Sequence, residues 1–265
     1  MQTLTEEFFL LSFNSYKHTF SAWHSHPKFE YGLCAALLFE QILSGSMVFS
    51  EQKELMLNTE VQIKSIWIKE LLEKIENKKH FYALFGKKHE KTLVNWLKVL
   101  KMESNELKTQ TNKMLKSKNI IGEKPIKLLG MKVYTTNILQ DGATLKALKD
   151  KLERAILSQT YPDLQTFMLL RLLKAAKTID QVFVEKNAEE QKILTNNLNQ
   201  LFEKDDFAAT LDSLLRGLRQ EELEEMTDMI ETLSDVISEI GDALDGAGDG
   251  GSDGGGDGGG DGGGD

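Results

Sequence analysis

A tryptophan stands among basic and titratable side chains in the segment Trp23-His24-Ser25-His26-Pro27-Lys28. An indole lying at a membrane interface, with bases beside it that can meet phosphate, would form a clamp for an anionic headgroup. The same residues also read as a surface loop whose Trp packs on a domain. His18, His24 and His26 have no carboxylate cluster beside them in sequence, so no metal site is expected. A second basic group comprises Lys101, Lys108, Lys113, Lys116 and Lys118. Positions 101 and 108 share a helix face by heptad spacing, but position 115 is Leu, so an anion-facing stripe is imperfect and a plain solvated face accounts for it too. A third group, Lys124, Lys127 and Lys132, flanks the apolar stretch 126–134, which includes Leu128, Leu129 and Met131. That stretch is a candidate for membrane dipping or self-association, or else an edge hairpin kept soluble by its lysines.

Bond-making chemistry is not spelled out. The chain has no Gly-rich phosphate loop after a strand, no paired-histidine zinc motif and no nucleophile elbow. Cys34 and Glu40 share an apolar run, but six residues apart they fall on different helix faces. Asp249, Asp253, Asp257, Asp261 and Asp265 recur every four residues, unlike the nonapeptide calcium repeat. The expectation is a non-enzymatic binding protein without a cofactor.

The charge balance points to an anionic partner for the body of the chain. The net charge is −9, yet no Lys or Arg follows Arg219, and 15 of the 41 acids lie there. Residues 1–219 therefore carry 32 bases against 26 acids, a mildly basic body followed by a strongly acidic tail. The tail is expected to compete with anionic ligands for that body. No apolar run approaches the roughly 20 residues that span a bilayer. The start Met1-Gln2-Thr3-Leu4-Thr5-Glu6-Glu7 lacks the basic region of a signal peptide. With Cys34 the single cysteine, a soluble protein of a reducing compartment, the cytoplasm, is expected.

The elements that must position these groups are mostly helices. Residues 31–43 are apolar almost all round with helix-forming residues, which predicts a buried helix ended by Gly45 and containing Glu40, which needs a partner. Met47-Val48-Phe49 and Leu55-Met56-Leu57 flank a polar turn and predict a short hairpin. Ile63, Trp67 and Leu71, then Leu93, Trp96, Leu97 and Leu100, mark amphipathic helices. Residues 101–118 read as one lysine-rich helix, followed by a hairpin turning at Gly130. Leu145, Leu148, Leu152 and Ile156 mark a helix, and Leu169, Leu172, Leu173, Ala176, Ile179 and Phe183 mark the next. Leu223, Met226, Ile230, Leu233, Ile237 and Ile240 form a narrow apolar stripe among acids. The Gly- and Asp-rich remainder predicts disorder. The expected class is mainly α: a helical domain over 1–205 around a buried central helix with one or two β-hairpins, an acidic amphipathic helix over 206–240, and a disordered tail over 241–265.

Four pieces of this order resemble the Golgi phosphoprotein 3 family. They are Leu4-Thr5-Glu6-Glu7-Phe8-Phe9-Leu10-Leu11, the central helix from Tyr31-Gly32-Leu33 to Leu43-Ser44-Gly45, the segment Thr92-Leu93-Val94-Asn95-Trp96-Leu97, and the helix–hairpin–helix section from Leu115 to the helix at Leu145. The resemblance implies a helical fold with a protruding hairpin and a peripheral membrane protein that binds phosphatidylinositol 4-phosphate through a Trp and Arg residues. Trp23 lies slightly upstream of the family's Trp. The family's Arg positions fall on Cys34, Asn105 and Lys108, with His24, His26, Lys28, Lys101 and Lys113 as nearby substitutes. The headgroup site implied is Trp23, His24, Lys28, Asn105 and Lys108, with Lys127, Leu128, Leu129 and Met131 as a membrane or homo-oligomer contact. Two other readings stand beside it. One is a winged-helix nucleic-acid binder, with the lysine-rich helix against the duplex, although its lysines suit base reading poorly. The other is a helical adaptor whose acidic segment docks on a basic partner.

Overall fold

Thr3 opens the first helix with a reciprocal cap. Its side chain accepts from the Glu6 backbone N–H at 3.3 Å, and the Glu6 carboxylate accepts from the Thr3 N–H at 2.9 Å. The helix that follows, α1 (Leu4–Leu10), buries Phe8, Phe9 and Leu10 completely or nearly so. The computed structural model describes residues 2–14, 17–50, 54–77, 92–128, 131–161, 163–203 and residues 231, 232 and 235; of residues 22, 23, 127, 128 and 131–133 it describes the backbone alone.

After a short 3-10 turn at Ala22–Ser25 comes the central helix, α2 (Pro27–Leu43). It starts one turn before the expected Tyr31. His26 Nδ1 accepts from the Lys28 N–H at 3.2 Å, and Pro27, whose missing N–H costs nothing in a first turn, takes the opening position. Its apolar circumference is met by partners on every side: Leu33, Ala35, Ala36, Leu37 and Leu38 have no exposed surface. Glu40 finds its partner in α1, accepting from the Thr5 hydroxyl at 2.7 Å and the Thr5 N–H at 3.3 Å. The helix ends at Leu43, and Gly45 takes the left-handed conformation (φ 72°) that the chain reversal requires.

The expected short hairpin follows, β1 (Met47–Phe49) paired antiparallel with β2 (Leu55–Leu57). Then come α3 (Ile66–Asn77), α4 (Leu93–Met102) and α5 (Ser104–Ser117). The lysine-rich helix expected over 101–118 is thus α5, beginning at Ser104, and Lys101 belongs to the end of α4. Glu103, at φ −101° and ψ 10°, breaks the ladder, and no Gly or Pro announces the break. Buried Trp96 of α4 donates from Nε1 to the Leu55 carbonyl at 2.8 Å, fixing the hairpin to the helices. Lys118, just beyond α5, meets the buried Glu6 carboxylate at 2.6 Å and ties the end of α5 to α1.

The second hairpin is longer than the sequence suggests: β3 (Ile121–Leu128) pairs with β4 (Met131–Leu139), from Ile121 opposite Leu139 to Leu128 opposite Met131. Pro125 is tolerated because a two-stranded sheet leaves each strand an open edge. Next come α6 (Gly142–Ser158), α7 (Leu164–Ala175), α8 (Ile179–Val182) and α9 (Ala188–Glu203). Here one expected helix becomes two, because Lys177 turns to φ 51° between α7 and α8. The result, among the described residues, is a mainly helical fold with two hairpins, in which α1, α4, α5 and α7 pack around α2. Most of the acidic segment and the whole Gly/Asp tail lie outside the described residues, as does Leu129 of the hairpin tip.

Candidate functional site

Lys101 and Lys108 do not stand free. Lys101 belongs to the end of α4 and Lys108 to α5, and the two approach one point from two helices. That point is Glu30, on the first turn of α2. Lys101 Nζ lies 2.6 Å from Glu30 Oε2, and Lys108 Nζ lies 2.6 Å from Glu30 Oε1. The three side chains keep part of their surface in solvent, 31% for Lys101, 17% for Lys108 and 13% for Glu30. Burial pushes the Glu30 carboxyl up, but the hydrogen bonds and charges of the two lysines outweigh it and hold the group below its ordinary value. The bond to Glu30 in turn holds the Lys101 ammonium above its ordinary value. One carboxylate thus faces two ammonium groups, and the cluster carries a net positive charge at neutral pH.

An aromatic box adjoins this cluster. The His24 ring stacks on Phe20, with centroids 3.7 Å apart and planes inclined by 13°, and meets Phe9 edge-on at 5.3 Å. Its Nδ1 lies 3.0 Å from the Ser12 hydroxyl. Burial first, and the nearby Lys108 charge second, bring the His24 pKa down from 6.5 to about 4 against a smaller opposing pull from Glu30. His24 is therefore a partly buried neutral ring packed among aromatics, and it offers no cation to a phosphate at neutral pH.

The remaining predicted positions separate. Lys28 is buried at 7% exposure, so its ammonium does not stand on the open surface. Asn105 is exposed on the first turn of α5, where its carbonyl accepts from the Thr109 hydroxyl at 2.8 Å. Cys34 is fully buried, and burial pushes its thiol well above the ordinary value, which makes it inert. The Trp23 backbone lies in the 3-10 turn directly before His24; its side chain lies outside the described residues. The lysine stripe does not form a single face, since Lys116 pairs with Glu123 and Lys118 with Glu6. Lys127, Leu128 and Met131 are placed at the tip of the long hairpin by backbone register.

Glu30 is the member that sequence reasoning missed. An acid in the first turn of a helix reads as complementing the helix dipole. Nothing local in the sequence points to lysines more than seventy residues away.

A sequence model of Golgi phosphoprotein 3 (GPP34) matches residues 4–216. The chain belongs to the Golgi phosphoprotein 3 family. No curated protein matches it at a significant level. Positions 34, 105 and 108, singled out in the sequence by resemblance, lie on α2 and α5, and of the three Lys108 is the one that contacts Glu30. Lys108 is the one that holds a base there, and Lys101, from outside the resemblance, joins it.

Proposed function

We propose that this protein is a non-enzymatic peripheral membrane protein that binds anionic phospholipid headgroups, phosphatidylinositol 4-phosphate foremost, at the Glu30–Lys101–Lys108 cluster. The observation that carries this reading is the convergence of two ammonium groups, from two helices, on one partly exposed carboxylate. A phosphate monoester is a larger anion of the same kind and higher charge, and it can take the place of the Glu30 carboxylate between the two lysines. Lysine supplies point charges rather than the planar fork of Arg, so the site distinguishes headgroups by charge more than by shape. Family membership supports the same reading, as does the basic body over 1–219. Among the described residues no helix is long and apolar enough to cross a membrane, which suits attachment from one side. The hairpin tip at Lys127, Leu128 and Met131 provides the second contact, with the membrane or with another copy.

Sedimentation with vesicles of neutral lipid, of general anionic lipid, and of neutral lipid containing phosphatidylinositol 4-phosphate tests this reading. Binding is expected in the order phosphoinositide, general anionic, neutral. Binding to no vesicle, with a salt-dependent shift on duplex DNA, would replace it with the nucleic-acid reading; binding to neither would leave the adaptor.

A further inference from the structure

A cavity of about 610 Å³ opens where α7 and α8 meet α9, and it shares no lining residue with the headgroup cluster. Its wall is basic: Arg171 and Lys174 come from the last turns of α7, and Lys177 from the turn beyond. Its floor is apolar, from Leu173, Ile179 and Leu198. The Phe202 ring organises the cations, with the Arg171 guanidinium 4.4 Å and the Lys174 ammonium 5.2 Å from its centroid. Burial, and the Arg171 charge after it, lower the Lys174 pKa against an opposing pull from Glu203. Asp180 is the one acid of the helical body in the wall.

A further acid lines this cavity, and it comes from far along the chain: Asp235. It is exposed and helical, as is Glu231, while Thr232 between them is partly buried. They belong to residues 221–240, which contain eight acids, no base, and the apolar stripe Leu223, Met226, Ile230, Leu233, Ile237 and Ile240. Read from its sequence as an acidic amphipathic helix, this segment matches a basic cleft with apolar lining in both charge and hydropathy.

We propose that the Arg171–Lys174–Lys177 cleft is a binding site for an acidic amphipathic helix, and that residues 221–240 of the same chain occupy it. The acidic segment then shields the basic wall from other anions until a competing acidic helix displaces it. This site is distinct from the headgroup cluster, and either assignment can fail without the other.

Cross-linking in the full-length chain tests the proposal, because the native Cys34 is fully buried and inert to the reagent. Lys177→Cys combined with Asp235→Cys is treated with a short bis-maleimide and compared with Lys177→Cys combined with Asp257→Cys. The longer tether to position 257 accounts for only about a twofold difference in effective concentration. The expected result is a monomer-mass product forming about tenfold faster in the 235 pair. Changing Glu224, Glu225, Asp228 and Glu231 to Lys, all outside the helical body, is expected to remove that excess. Equal rates for the two pairs, an excess that survives the charge reversal, or a dimer-mass product as the main species would overturn the proposal.

Discussion

The Lys108 ammonium lies 2.6 Å from Glu30 Oε1, across 78 residues of sequence, and the second oxygen of the same carboxylate is held by Lys101. Glu30 is therefore both a structural clasp between α2 and the α4–α5 corner and an internal competitor for any anion. Glu30→Gln is expected to lower stability by about 1–2 kcal/mol, because two partly buried ammonium groups lose their counter-charge. The same change is expected to tighten binding to anionic vesicles about fivefold, equivalent to about 1 kcal/mol. Because the folded carboxyl titrates below its ordinary value, its stabilising contribution is present above about pH 4.5 and is lost as pH falls through the folded value. Thermal melts of wild type and Glu30→Gln from about pH 5 to pH 3 should converge as the acid is neutralised.

His24 gives a separate and earlier acid response. Its pKa falls from 6.5 to about 4 on folding, so between those values the unfolded chain binds a proton that the native ring refuses. The contribution is full above pH 6.5 and declines as pH falls towards about 4, by about 2–3 kcal/mol in all. In His24→Phe, urea unfolding across this window is expected to lose that part of its pH slope. It should also show a modest pH-independent cost from the lost Ser12 contact. An unchanged slope would mean that the ring protonates freely in the fold.

Gly32 on α2 faces the Phe8 ring of α1 so closely that a Cβ there would stand 2.3 Å from Phe8 Cζ. Phe8 is fully buried and stacks on Phe29 at 5.8 Å, so it has little room to retreat. Gly32→Ala is therefore expected to destabilise by about 1–3 kcal/mol, although Ala is the better helix former by about 1 kcal/mol. Denaturant melts check the sign, and a stabilised variant would show that α1 can move outwards.

Removing residues 241–265 takes away seven acids and no base. The truncated chain is expected to bind anionic vesicles more tightly at low salt, with the difference vanishing when the Debye length shrinks to a few Å near 1 M salt. Equal binding at low salt would mean that the tail does not screen the body.

The legible part of the fold was the part carried by apolar pattern. The all-round apolar run gave α2, two short apolar runs flanking a polar turn gave the β1–β2 hairpin, and Gly45 gave the stop between them. The junction between α4 and α5 was read about two residues early, because Glu103 carries no stop signal, and the break at Lys177 was not legible, because Lys does not favour the left-handed conformation it adopts there. For the site, composition identified Lys101 and Lys108 but not their meeting point, since Glu30 is distant in sequence and ordinary in its local context. His24 was read as a surface base for the same reason: Phe9, Phe20 and Ser12, which partly bury its ring, come together only in three dimensions.

The central claim is that Lys101 and Lys108 hold the headgroup. The most direct test is the affinity of wild type and of Lys101→Ala combined with Lys108→Ala for vesicles containing phosphatidylinositol 4-phosphate, with helicity checked by circular dichroism. The account predicts a loss of at least about tenfold in the double variant, from two charge-assisted contacts, with the helical signal retained. Equal affinity in a folded double variant would contradict it and move the headgroup site elsewhere on the molecule.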